Sequence, residues 1–201
     1  MPEQIPLYVL SGGRSSRFGS DKARARYCGE TLLQRQIRLL EPIAFPVTVV
    51  ADRAGKYDDL MLRTIADIAP GSGPLGGLES ALQDRGQGWL LLTCCDMVAV
   101  NPEWVAQLCD QRKPGATAVV FKGQFFEALF TLYHSSMLPA VQERRAKGDL
   151  SLQDLFDSPT TIHLPLPNGW PALAHVNTPL ELARSEASVI AEVSKQEGSE
   201  R

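Results

Sequence analysis

The stretch Leu10-Ser11-Gly12-Gly13-Arg14-Ser15-Ser16-Arg17-Phe18-Gly19-Ser20-Asp21-Lys22 follows directly on the apolar run of residues 5–10. A short apolar run that breaks into a glycine pair reads as a buried strand feeding a loop. Glycines at that point let the backbone approach a ligand closely and leave amide N–H groups free to bind an anion. Arg17 and Lys22 add fixed positive charge suited to phosphate oxygens, and Gly19 adds freedom further along the loop. A surface loop with scattered basic residues is the competing reading. The strand end, the two cations and the third glycine together favour a phosphate loop. Spacing excludes the two commoner designs: Lys22 lies three residues beyond Gly19 rather than next to a glycine, and no GxGxxG occurs here.

The rest of the chain alternates short apolar runs with helical stretches, the pattern of a parallel sheet covered by helices. Residues 31–40 predict a helix with Leu33, Ile37 and Leu40 on one face, ended by Pro42 and Pro46. Strands are expected at residues 45–51, 62–66, 89–93 and 116–121, and a hairpin-like extension over the alternating, aromatic residues 124–133. Helices are expected from Pro74 to about Gln83, after Asn101 and Pro102, and over residues 136–146 and 151–156. Thr178-Pro179-Leu180-Glu181 is a capping box with proline at the first helical position. Residues 1–187 read as one domain, and residues 188–201 as a tail that frays or extends the last helix.

Composition narrows the function classes. The chain has 201 residues, 44% of them apolar, enough for one domain with a real core. A formal net charge of −3 gives no general attraction to nucleic acid or to an anionic membrane, so an anion must be caught locally. Apolar runs such as residues 89–95 are too short to span a bilayer. Residues 1–6 lack the basic-then-apolar layout of a secretory signal, so a cytoplasmic location is expected. Cys28, Cys94, Cys95 and Cys109 form no CxxC pair, and Cys94 and Cys95 on a strand would face opposite ways. Buried free thiols are expected, and neither these cysteines nor His134, His163 and His175 show metal-ligand spacing.

Two further features carry chemistry. Asp96 stands where the apolar run 89–95 ends, and the carboxyl ends of parallel strands are where ligands gather. A carboxylate there can hold Mg²⁺ against a triphosphate. The bland reading is a turn aspartate bonding nearby amides. Asp67 precedes Gly71-Ser72-Gly73-Pro74-Leu75-Gly76-Gly77-Leu78, a glycine-rich turn running into a helix. Gly76 and Gly77 inside that helix each cost about 1 kcal/mol relative to alanine, which implies close approach of a ligand or of another backbone; a nucleobase is a candidate.

These residues resemble a known family, the molybdenum cofactor guanylyltransferases (the molybdopterin-guanine dinucleotide biosynthesis protein A family) among the Rossmann-like nucleotidyltransferases. Leu10 to Lys22 matches the family's L-A-G-G-x-S-x-R-M-G-x-D-K loop with Ser11 for Ala and Phe18 for Met. Gly73-Pro74-Leu75-Gly76-Gly77-Leu78 is similar to its G-P-L-A-G-[ILM] turn, Cys95-Asp96-Met97 to its C-D-x-P segment, and Val176-Asn177-Thr178-Pro179-Leu180-Glu181-Leu182 to its N-I-N-T-P-E-D-L ending. The resemblance implies an α/β, three-layer Rossmann-like sandwich with a mostly parallel sheet and helices on both faces. It implies transfer of GMP from GTP to molybdopterin with release of pyrophosphate, and Mg²⁺ as cofactor. Leu10, Ser11, Gly12 and Gly13 would touch the nucleotide, Lys22 and Arg17 its phosphates, Asp67 and Gly76 the guanosine, Asp96 the metal and Asn177 the acceptor. GTP and molybdopterin would be the partners, with cofactor-delivery proteins in addition.

The sequence departs from the family pattern at three places. Val98 stands where a proline usually follows the aspartate. His175 replaces the first asparagine of N-x-N-T-P. Asp149 and Leu150 follow Lys147-Gly148 where the family often has arginine. Two alternatives stay open on the sequence: a related nucleotidyltransferase with another base or acceptor, such as a cytidylyltransferase of the same cofactor, or a silent nucleotide-binding regulator. Retention of Lys22 together with Asp96 favours catalysis, because a pure binder needs no such pair.

Overall fold

The structure, a computed structural model, describes residues 4–12, 18, 21–171 and 174–199, with side chains described as far as residue 189. In chain order the elements are β1 (Leu7–Leu10), a small hairpin of β2 (Arg26–Tyr27) and β3 (Glu30–Thr31), α1 (Leu32–Leu40), β4 (Val47–Ala51), β5 (Thr64–Ala66), α2 (Gly73–Arg85) and β6 (Trp89–Cys94). There follow α3 (Pro102–Asp110), β7 (Ala118–Lys122), β8 (Phe126–His134), α4 (Leu138–Ala146), β9 (Thr161–Pro165) and α5 (Pro179–Ser199).

Local chemistry explains the boundaries. Thr31 and Gln34 form a reciprocal capping box that starts α1, and Leu33, Ile37 and Leu40 turn its apolar stripe into the core. Asn101 accepts from the Glu103 N–H and Pro102 opens α3. At α5, Glu181 Oε2 accepts from the Thr178 N–H while Thr178 Oγ1 accepts from the Glu181 N–H. Residues 151–156 do not form an α-helix: a 3₁₀ turn, Gln153–Asp157, stands there, too short to close an α-helical ladder. Residues 124–133 form β8 and the turn leading into it, pairing antiparallel with β7.

Seven strands form one sheet in the order β5-β4-β1-β6-β8-β7-β9, parallel except for β8. All residues of β1 and β6 are buried, as expected of strands covered on both faces. The chain steps outward from β1 through α1 to β4 and β5, then returns through α2 to β6 on the other side of β1. Right-handed crossovers in opposite directions put α1 and α2 on opposite faces. The strand order therefore reverses between β1 and β6, and a crevice opens outside their carboxyl ends.

Two features extend over that crevice. β8 pairs with β6 only from Phe130 onward, so residues 126–129 project past the end of β6. Residues 174–176 run antiparallel to residues 96–98, the Val98 N–H reaching Ala174 O at 3.1 Å and the Val176 N–H reaching Asp96 O at 3.0 Å. An aromatic cluster anchors the β7–β8 half: Trp170 lies 4.7 Å from Trp104 and 5.8 Å from Phe121, centroid to centroid.

Candidate active site

The crevice is built from strand ends. Leu10 closes β1, and the ladder continues one step beyond it: the Ser11 N–H donates to Val50 O at 2.8 Å and the Cys95 N–H to Leu10 O at 3.1 Å. Ser11 is buried and its Oγ lies 2.5 Å from the hydroxyl of Tyr57, which donates to Asp21 Oδ2 at 3.0 Å. Asp21 also accepts from the Ala23 N–H, so it fixes the chain just before Lys22. Burial raises the Tyr57 hydroxyl to about 12, which keeps it a neutral donor. Gly12 is exposed, and a Cβ placed on it would meet nothing within 4 Å, leaving open space at the start of the loop. Gly13 and Arg17 lie outside the described residues.

Lys22 and Asp96 meet across this space. Lys22 Nζ donates to Asp96 Oδ2 at 2.6 Å, and the ammonium also sits 5.4 Å above the Phe18 ring. The other oxygen, Asp96 Oδ1, lies 3.3 Å from His175 Nδ1, and Cys94 Sγ lies 3.5 Å from the same nitrogen. His175 Nε2 is 3.7 Å from Glu127 Oε2, on the projecting end of β8. Burial would push the Asp96 carboxyl up, but the bonds from His175, Cys94 and Lys22 hold it well below the usual carboxylate range. Burial would likewise lower His175, but Asp96 and Glu127 raise it to about 9. Two cations, Lys22 and His175, thus face two carboxylates, Asp96 and Glu127.

The cysteines and histidines show no ligand spacing along the chain, yet the fold brings two of them together with Asp96. Cys94, Asp96 and His175 place ligand atoms within 4.8 Å of one another, a grouping made by the pairing of residues 96–98 with 174–176 rather than by local spacing. The expectation of buried thiols is corrected at Cys28, which is exposed, at φ 50° in the β2–β3 turn, whereas Cys94 and Cys95 are buried and free.

The Asp67 turn lies at the end of β5. Asp67 Oδ1 accepts from the Ala69 N–H at 2.9 Å and from Ser80 Oγ at 3.4 Å. A Cβ on Gly76 would stand 2.7 Å from Ala69 O and 3.1 Å from Asp67 Oδ1; one on Gly77 would stand 2.8 Å from Leu10 Cδ2. What approaches the two helical glycines is therefore the chain itself, the Asp67 turn and the end of β1. Asn177 is exposed two residues beyond His175, its N–H bonded to Glu181 Oε2 at 2.5 Å. Asp149 pairs with Arg144, which also reaches Asp154 Oδ2 at 2.7 Å, so the acidic residue after Gly148 is neutralised by an arginine from α4.

Sequence reading missed Glu127, Tyr57 and Cys94 as site residues. A lone carboxylate within Phe125-Phe126-Glu127-Ala128-Leu129 was the available signal for Glu127. Tyr57 carries none, because its role depends on a hydrogen bond spanning 46 residues.

Comparison with known proteins bears on the family and the fold. Residues 7–162 match the family model of the MobA-like NTP transferase domain. A probable molybdenum cofactor guanylyltransferase of Chloroflexus aggregans is 34% identical over 195 residues, covering 89% of this chain and 92% of that protein. One from Opitutus terrae is 36% identical over 149 residues, covering 72% and 74%. The crystal structure of molybdopterin-guanine dinucleotide biosynthesis protein A from Archaeoglobus fulgidus superposes with a TM-score of 0.79 at 23% identity, covering 93% of this chain and all of that one. With a lysine–aspartate pair at the point where strand order reverses and a family model matched over residues 7–162, the chain belongs to the MobA-like nucleotidyltransferase family, among the molybdenum cofactor guanylyltransferases.

Proposed function

We propose that this chain transfers the guanylyl group of GTP to the terminal phosphate of molybdopterin and releases pyrophosphate, acting in the cytoplasm. The observation that carries the reading is the Lys22–Asp96 pair at 2.6 Å in the β1/β6 crevice. A cation already rests on Asp96 Oδ2, so the position suits a divalent ion, and Mg²⁺, which takes one or two carboxylates with phosphate oxygens, fits it. When bound, that ion neutralises charge on the leaving pyrophosphate.

The chain's own residues do the rest. Backbone N–H groups of Gly12 and Gly13, just beyond Leu10 and Ser11, receive the triphosphate, and Lys22, displaced from Asp96, moves onto its oxygens with Arg17. Asp67 and the turn packed on Gly76 read the base, and Asn177 faces the acceptor. An oxygen of the acceptor's terminal phosphate forms a bond to the α-phosphorus of GTP. The bond from that phosphorus to the bridging oxygen breaks, and its electron pair leaves with pyrophosphate. The nucleophile is already an anion, so no strong base is required, and in-line alignment with charge neutralisation carries the rate.

The test is pyrophosphate release with GTP, molybdopterin and Mg²⁺ by the wild type, Asp96→Ala and Lys22→Ala. Release that falls at least about 100-fold in both variants supports the reading. GTP binding with no release by the wild type would replace it with a regulatory binder.

A further inference from the structure

Tyr57 lies on the excursion between β4 and β5 and is fully buried, yet both hydrogen bonds of its hydroxyl go to the stretch between Leu10 and Lys22. Ser11 Oγ, at the start of that stretch, is 2.5 Å away, and Asp21 Oδ2, at its end, is 3.0 Å away. The phenol has one proton and gives it to Asp21, so the Ser11 hydroxyl is the donor to the phenol oxygen. One buried group thus joins the two ends of the loop. A core tyrosine needs only a single partner for its hydroxyl, and chance does not favour partners at opposite ends of one loop. Alanine, the family's residue at position 11, has no hydroxyl to give, so the join belongs to this chain's own pair of Ser11 and Tyr57.

A second set of contacts from the same excursion acts on Lys22 from both sides in sequence. Before it, Asp21 Oδ2 lies 3.4 Å from Lys56 Nζ. After it, the Arg24 guanidinium donates to both oxygens of Asp59, at 2.8 and 2.7 Å, and to Lys56 O at 3.3 Å. Arg24 and Lys56 also lie over the Tyr57 ring, 5.2 and 5.4 Å from its centroid. The excursion is itself fixed where it matters: the Leu60 and Leu62 N–H groups donate to Tyr57 O at 2.9 and 3.3 Å. The start of the loop is further tied to β4, through the Ser11 N–H on Val50 O.

We propose that Tyr57 is a positioning residue for the triphosphate, its hydroxyl holding Ser11 and Asp21 so that the Gly12 amide and the Lys22 ammonium are presented together as a preformed anion site. The inference rests on the reading of this loop as the phosphate loop, and it deepens that reading by naming the group that holds the loop's ends. Fully buried, the hydroxyl acts through Ser11 and Asp21 and not by touching the ligand. Holding both ends in the bound arrangement lowers the ordering that binding must impose, which strengthens the phosphate contacts and leaves those to the base unchanged.

The test is equilibrium binding of GTP with Mg²⁺ to the full chain by calorimetry, with guanosine as a competitor that lacks phosphates. Tyr57→Phe should weaken GTP about 10-fold and leave guanosine within about 2-fold of the wild type. Ser11→Ala should weaken GTP at least about 3-fold, again without affecting guanosine. The two substitutions together should cost less than the product of their separate effects, because they break one unit. Urea denaturation of each variant gives the stability change separately; a tyrosine that only supports the core weakens both ligands alike or neither. Unchanged GTP affinity in folded Tyr57→Phe, equal losses for GTP and guanosine, or losses that multiply in the double variant would each overturn the proposal. Should Tyr57→Phe not fold, Ser11→Ala decides by the same two ligands. The underlying reading fails differently: a wild type that binds GTP no more tightly than guanosine removes the phosphate loop itself, and the positioning role with it.

Discussion

Gly76→Ala isolates the contact that joins the Asp67 turn to α2. Helix propensity alone favours the substitution by about 1 kcal/mol. The structure opposes it. The new Cβ would stand 2.7 Å from Ala69 O, 3.1 Å from Asp67 Oδ1 and 3.1 Å from Ser72 Cβ. Ala69 O cannot swing aside, because it is backbone and accepts the Ser72 N–H at 3.0 Å. Overpacking against a fixed neighbour costs about 2–3 kcal/mol, so the net loss should be about 1–2 kcal/mol. For a domain of this size that lowers the melting temperature by about 2–8 °C. Gly77→Ala meets only the Leu10 side chain, at 2.8 Å, and a side chain can change rotamer; its loss should be smaller. Urea denaturation of both variants measures the difference, and equilibrium titration with GTP shows whether the displaced turn weakens binding. A Gly76→Ala protein more stable than wild type by the propensity value would refute this view of the turn.

Substitutions at three other contacts probe the frame of the fold. Glu79 is 1% exposed and its carboxylate is paired with Arg145, so Arg145→Ala leaves a buried charge without that partner and should lower stability by urea denaturation. An Arg145→Met, Glu79→Met pair should recover most of that. Tyr57→Phe removes the hydroxyl shared by Ser11 and Asp21; stability should fall by about 1–2 kcal/mol and KM for GTP should rise, as measured by denaturation and steady-state kinetics. Asp84 accepts from both Arg63 nitrogens and from Tyr8, each at 2.7 Å, and the Arg63 bonds hold its carboxyl below the ordinary value. A carboxyl lowered on folding stabilises the protein above its unfolded value near 3.9, and that contribution is lost as pH falls through the folded value. Asp84→Asn should therefore cost about 1 kcal/mol at pH 7, and the gap from wild type should narrow below about pH 4.

The sequence made the parallel half of the fold legible because each element there carries its own signal. β1 and β6 are continuous apolar runs ending in glycine or aspartate, and α1 and α3 start at caps that can be read as Thr31-x-x-Gln34 and Asn101-Pro102. β9 could not be read. Thr161–Pro165 is an edge strand with no buried residue, so its alternation is weak, and it closes on proline. The two-residue strands β2 and β3 are shorter than any periodic pattern.

At the site, Lys22 and Asp96 were legible as separate strand-end features, while their 2.6 Å contact depends on sheet order. Cys94 and His175 are 81 residues apart, joined by an isolated bridge at Met97 and His175 that no spacing rule contains. Gly76 and Gly77 are legible as points of close approach, but not what approaches them. The neighbour in the structure is the chain's own turn and β1, because the Asp67 turn needs the room that a nucleobase was expected to fill.

The most direct measurement is the mass of the product formed when the purified protein, Mg²⁺ and molybdopterin are supplied with GTP, CTP and ATP together at equal concentration. The expected product is the guanine dinucleotide of the pterin, formed with one pyrophosphate per molecule and absent with Asp96→Ala. A cytosine dinucleotide as the main product would contradict guanine selection at the Asp67 turn, and no dinucleotide of any base would contradict transfer itself.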